Sequence, residues 1–118
     1  MKSLLPIPDN KKLTITYRVE AGCLGPDGLN YIDDFCVFAQ QELKMQESDY
    51  TLWNIIHRAD KTLPEMEFSL MGKIVDDTKA NKYFSVFNNT LDDFEMHLID
   101  NLSILISKFM SKIPGSGH

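Results

Sequence analysis

Residues 13–20 read Leu-Thr-Ile-Thr-Tyr-Arg-Val-Glu, and this alternation constrains the fold more than any other stretch. Leu13, Ile15, Tyr17 and Val19 fall on one side of an extended chain; Thr14, Thr16, Arg18 and Glu20 fall on the other. The residue types favour a strand with one face buried. The polar alternate face also excludes a sheet covered by helices on both sides.

The next pattern has a different period. Ile32, Phe35, Cys36, Ala39 and Leu43 recur at three and four, which predicts an amphipathic helix over about 29–45. Asp27 or Asn30 suits its cap, Asp33 and Asp34 its first turn, and Ser48-Asp49 its end. Residues 50–57, YTLWNIIH, are strand formers, and RADKTLP at 58–64 is turn-like. Met66, Phe68 and Leu70 alternate with Glu65, Glu67 and Ser69, a third strand ending near Gly72 or Ile74 and close enough to pair with the second as a hairpin. Ala80, Tyr83, Phe84 and Phe87 predict a helix over 77–88, with a fourth strand at 82–87 as the alternative. Thr90 to Asp93 resembles a capping box with Asp in place of Glu, opening a long helix to about 112 with its stripe at Phe94, Leu98, Leu102, Leu105 and Phe109.

The predicted class is α+β: a β-α-β-β-α-α two-layer sandwich with a small, mainly antiparallel three-stranded sheet and helices on one face. Order 1-3-2 is preferred. Order 1-2-3, with the first pair parallel, is the alternative. The 118 residues suit a single domain over 1–113, and Pro114 to His118 reads as a cloning or tag remnant.

Charge narrows the partners. The net charge is -5, from 12 Lys and Arg against 17 Asp and Glu, and both halves of the chain share the acidic excess. Nucleic-acid and anionic-membrane binding need clustered cations, so neither is expected. No apolar run is long enough for a membrane span and no signal-peptide core precedes Pro6 and Pro8, which with two cysteines points to the cytoplasm.

The stretch Ala21 to Gly28, AGCLGPDG, joins the first strand to the first helix. Its G-x-x-G-x-x-G spacing matches neither phosphate-loop fingerprint, no Lys or Ser follows Gly28, and three aspartates surround the helix entrance. It therefore reads as a corner. Cys23 in this corner is a weak nucleophile candidate, with His57 as base and Arg18 as anion partner. Cys36 belongs to the helix core, and a Cys23–Cys36 bridge would require one of them to leave it. Arg18, Trp53 and Glu67, with His57, form a candidate ligand floor if they share the exposed face. Asp93, His97 and Asp100 lie on one helical strip but lack a second histidine at matching spacing, so no metal or cofactor is expected.

Two functions follow. The first is a non-enzymatic interaction module that self-associates or binds another protein, with Trp53 and Ile55, or Ile106 and Phe109, as its apolar patch. The alternative is a small-ligand protein or enzyme using loop 21–28 with Cys23, His57 and Arg18.

Overall fold

A computed structural model describes residues 7–46 and 50–113 of the chain. The strands are β1 (Leu13–Val19), β2 (Thr51–His57), β3 (Met66–Leu70) and β4 (Lys73–Val75); the helices are α1 (Gly28–Gln46), α2 (Asp77–Val86) and α3 (Leu91–Met110). The α+β class and the helical reading of 77–88 agree with the sequence, and no strand forms at 82–87. The expected helix end at Ser48-Asp49 and the remnant at 114–118 lie outside the described residues. Because α1 begins at Gly28, Asp33 and Asp34 fall beyond its first turn.

The sheet corrects the sequence in three respects. It has four strands and not three. It is mixed, with β1 parallel to β2 and antiparallel to β3, and β3 antiparallel to β4. Its order is β2-β1-β3-β4, so the first strand is central and both predicted orders, 1-3-2 and 1-2-3, fail. The cause is the segment after β2. The Arg58 N–H donates to the Val19 carbonyl at 2.8 Å, and the Arg18 N–H donates to the Glu65 carbonyl at 2.7 Å. These two bonds carry the connection across the end of β1 and set β3 on its far side. The long apolar-alternating stretch from 66 also breaks at Met71-Gly72. Both residues have positive φ, 50° and 81°, as a two-residue type I′ hairpin requires, so the chain reverses there to make β4.

Alternation divides each strand between the two faces. Leu13, Ile15, Val19, Trp53, Ile55 and Phe68 are all buried on the helix side. From α1 they meet Ile32, Phe35, Ala39 and Leu43; from α3 they meet Phe94, Leu98, Leu102 and Leu105. Each Val, Leu, Ile or Phe among them contributes about 1.5–3 kcal/mol when fully buried. Aromatic rings join the layers. Trp53 stacks on Phe94 at 5.5 Å, Phe94 on Phe84 at 4.4 Å, and Phe84 meets the edge of Phe68 at 6.4 Å. Phe35 and Phe109 lock α1 to α3 at 5.4 Å, with a Lys108–Glu42 ion pair at 2.9 Å outside them.

The caps account for the helix starts. The Asp76 carboxylate accepts from the Lys79 N–H at 2.9 Å, and the Thr90 hydroxyl accepts from the Asp93 N–H at 3.1 Å. Asn88, at φ 61°, turns the chain between α2 and α3.

The β2 edge has its own device. The Gln40 side chain, projecting from α1, donates from Nε2 to the Trp53 carbonyl at 2.6 Å and accepts at Oε1 from the Ile55 N–H at 2.8 Å. One side-chain amide thus satisfies two of the backbone groups that a further strand would pair with.

Candidate functional site

Parallel strands joined by a helix bring their carboxyl ends together, and ligands of α/β sheets bind beyond such ends. Here Val19 and His57 are paired in register. The chain leaves β1 through Glu20 and a 3-10 turn at Ala21–Leu24, and leaves β2 through Arg58 to Lys61. Between the two exits lies a cleft of about 440 Å³, with Gly22, Gly25, Gly28, His57, Arg58 and Lys61 in its walls. The loop is drawn tight by Gly28, where a Cβ would overlap the Ala21 carbonyl. AGCLGPDG is therefore a packed corner whose last glycine permits a backbone–backbone approach.

The electrostatics of the cleft centre on Glu20. Its carboxylate takes Arg58 Nη1 at 2.9 Å and Lys61 Nζ at 3.1 Å. The hydrogen bond and charge of Lys61, then those of Arg58, hold the Glu20 carboxyl below its ordinary value. Two cations share this one carboxylate. The Arg58 Nε is buried and has no hydrogen-bond partner among the described residues. The Asp60 carboxyl is held below its ordinary value, first by the Thr62 hydroxyl and then by the Thr62 backbone N–H.

The residues singled out in the sequence do not converge. His57 stands in the cleft wall, while Cys23 is an exposed thiol in the 3-10 turn and does not line the cleft. Cys36 is buried in α1, and both cysteines are unbridged. Burial, then the charge of Asp33, pushes the Cys36 thiol up to about 11. Arg18 and Glu67 do meet, at 2.8 Å, and Arg18 also donates to the Pro64 carbonyl at 2.8 Å. They lie on the uncovered face, however, whereas Trp53 lies beneath the helices at 7% exposure. Arg18, Trp53 and Glu67 therefore cannot floor a common site. Nor are the apolar patches where the sequence suggested: Trp53 and Ile55 are buried, and Ile106 and Phe109 pack against the core.

Tyr17 and the Asp93–His97–Asp100 strip complete the inventory. Burial, then the Glu65 carboxylate, pushes the Tyr17 hydroxyl to about 12. On α3, His97 bonds only the backbone of Asp93, and no group of three His, Cys, Asp or Glu suited to a metal ion occurs among the described residues. What sequence reasoning missed was the Glu20 pairing with Arg58 and Lys61. The run His57-Arg58-Ala59-Asp60-Lys61 was visible, but its partner lies on another strand end.

The uncovered face is the second candidate surface. Register places Leu52, Thr14, Ser69 and Ile74 in one row across the four strands, with Asn54, Thr16 and Glu67 in the next. Ile74 is 71% exposed and Ile56 is 37% exposed. Among the described residues, no helix is long and apolar enough to cross a membrane. No family model, curated protein or solved structure matches the chain.

Proposed function

We propose that the protein is a non-enzymatic interaction module that pairs with a second copy of itself through the uncovered sheet face. The observation that carries this reading is the row Leu52–Thr14–Ser69–Ile74, apolar at both ends and hydroxyl-bearing at the centre. A twofold axis parallel to the strands, between two such faces, sets Leu52 of one copy against Ile74 of the other, and Thr14 against Ser69. The patch is self-complementary, as a twofold interface needs.

Its size sets the strength. Strands of 7, 7, 5 and 3 residues, spaced about 4.8 Å apart and rising about 3.3 Å per residue, offer roughly 350 Å². That is less than half the area, about 800 Å² per partner, of a standard stable interface. The association is therefore transient. Sedimentation equilibrium tests it: a reversible dimer at high micromolar concentration is expected, with Ile74→Lys and Leu52→Lys each weakening it at least tenfold. A strict monomer at millimolar concentration would sink the proposal.

A second reading is supported by the unpaired Arg58 Nε at the carboxyl end of the parallel pair. There the cleft takes a small anion, with Arg58 and Lys61 as its binding groups. Calorimetric titration with inorganic phosphate should give a binding isotherm that Arg58→Ala abolishes; a flat isotherm counts against it.

A further inference from the structure

A separate pocket of about 220 Å³ opens between the start of β2 and the first half of α3. Tyr50, Trp53 and Phe94 supply aromatic walls, and Asn89, His97 and Asn101 supply its polar groups. These polar groups are of two kinds. The Asn89 amide is occupied internally: its Nδ2 donates to the Tyr50 hydroxyl at 3.2 Å and its Oδ1 accepts from the Thr90 N–H at 2.9 Å. It fixes the wall. The other two are open. The Asn101 amide makes no hydrogen bond within the described residues. The His97 Nδ1 lies 2.9 Å from the Asp93 carbonyl, which can only accept, so Nδ1 carries the proton and Nε2 of the neutral ring keeps its lone pair.

His97 and Asn101 are four residues apart and therefore neighbours on one side of α3. Together they present an acceptor and a donor–acceptor amide beside aromatic surface. A carboxamide of this kind pairs with an adjacent donor and acceptor on a planar ring, as asparagine does with the N6 and N7 edge of adenine. The volume equals about seven waters of liquid, which suits one or two fused rings. Neither the sheet face nor the cleft beside Gly28 takes part.

We infer that this pocket is a binding site for a small planar heteroaromatic molecule of nucleobase size, packed against the aromatic wall and hydrogen-bonded along its edge by Asn101 and His97. Trp53 is the only tryptophan, so its fluorescence reports on the site directly. Adenine is the probe, and toluene is the comparison ring without a polar edge. Adenine should quench Trp53 saturably in the micromolar to low millimolar range, at least tenfold more tightly than toluene. Asn101→Leu and His97→Gln should each weaken adenine at least fivefold without moving the unfolding midpoint, and Arg58→Ala should leave binding unchanged. In the unsubstituted protein, adenine should shift the NMR signals of the Asn101 amide and the His97 ring. No saturation by 10 mM adenine, equal binding of toluene, or unshifted Asn101 and His97 signals would each overturn the assignment.

Discussion

Replacing Gln40 with leucine removes a side chain that caps the β2 edge. Two hydrogen bonds disappear, from Nε2 to the Trp53 carbonyl and from the Ile55 N–H to Oε1. Each is worth about 0.5–1.5 kcal/mol net. The Ile55 N–H also loses its acceptor beneath α1, in a residue only 5% exposed, which adds about 1–3 kcal/mol where water cannot replace it. Leucine returns part of this as apolar burial. The net loss is about 2–3 kcal/mol, or roughly 8–12 °C in Tm for a domain of this size. Differential scanning calorimetry reads the midpoint, and native-state hydrogen exchange reads the Ile55 amide, which should lose protection selectively. Gln40→Glu provides the control. An ionised carboxylate still accepts from Ile55 but opposes the Trp53 carbonyl; once protonated, it can donate there. This variant should therefore be more stable at pH 5 than at pH 8, a trend leucine lacks. A leucine variant within 2 °C of the parent, with Ile55 still protected, would refute the reasoning.

Three further outcomes are expected. Gly28→Ala forces a Cβ into the Ala21 carbonyl, so it should cost about 3 kcal/mol or more in urea unfolding, while Gly22→Ala, with open space around it, should cost under about 1 kcal/mol. Met71→Asn places a residue tolerant of positive φ in the β3–β4 turn and should raise stability by about 0.5–1 kcal/mol, read from the shift in denaturation midpoint. Burial raises the Cys36 thiol from 9.0 to about 11, so the native state favours the protonated form. That contribution, up to about 2–3 kcal/mol, is intact below pH 9 and is lost as pH rises through 11. Urea midpoints at pH 7, 9 and 10.5 should fall in that order, and Cys36→Ala should flatten the decline. At pH 8 a maleimide should label Cys23 alone; two labels on the native protein would contradict the burial of Cys36.

Local patterns in the sequence were legible because their causes are local. The alternation of Leu13 to Val19, the α1 and α3 stripes and the Thr90 cap each depend on residues within a few positions. Strand order was not legible, because it turns on the Arg58–Val19 and Arg18–Glu65 bonds, which join distant segments. The reversal at Met71-Gly72 was hidden because methionine carries no turn signal. In YTLWNIIH, both phases are apolar, Leu52 and Ile56 on one and Trp53 and Ile55 on the other. Periodicity alone could not choose the face beneath the helices, so Trp53 was joined with Arg18 and Glu67. On α3, His97 shares a pocket with Asn101, Tyr50 and Trp53, a grouping that only the packing of α3 against Trp53 reveals.

The central position of β1 has a consequence for how the chain comes off the ribosome. β1 is made before either of its partners, since both lie beyond residue 50. A nascent chain halted after β2 would hold only a parallel pair, the weaker pairing, with the other side of β1 unpaired. β1 gains its second partner only as Leu70 emerges, and the sheet is complete only after Val75. Folding should be slow for a chain of this length, as long-range strand pairing demands, and the interval before closure is when this strand is most open to wrong partners.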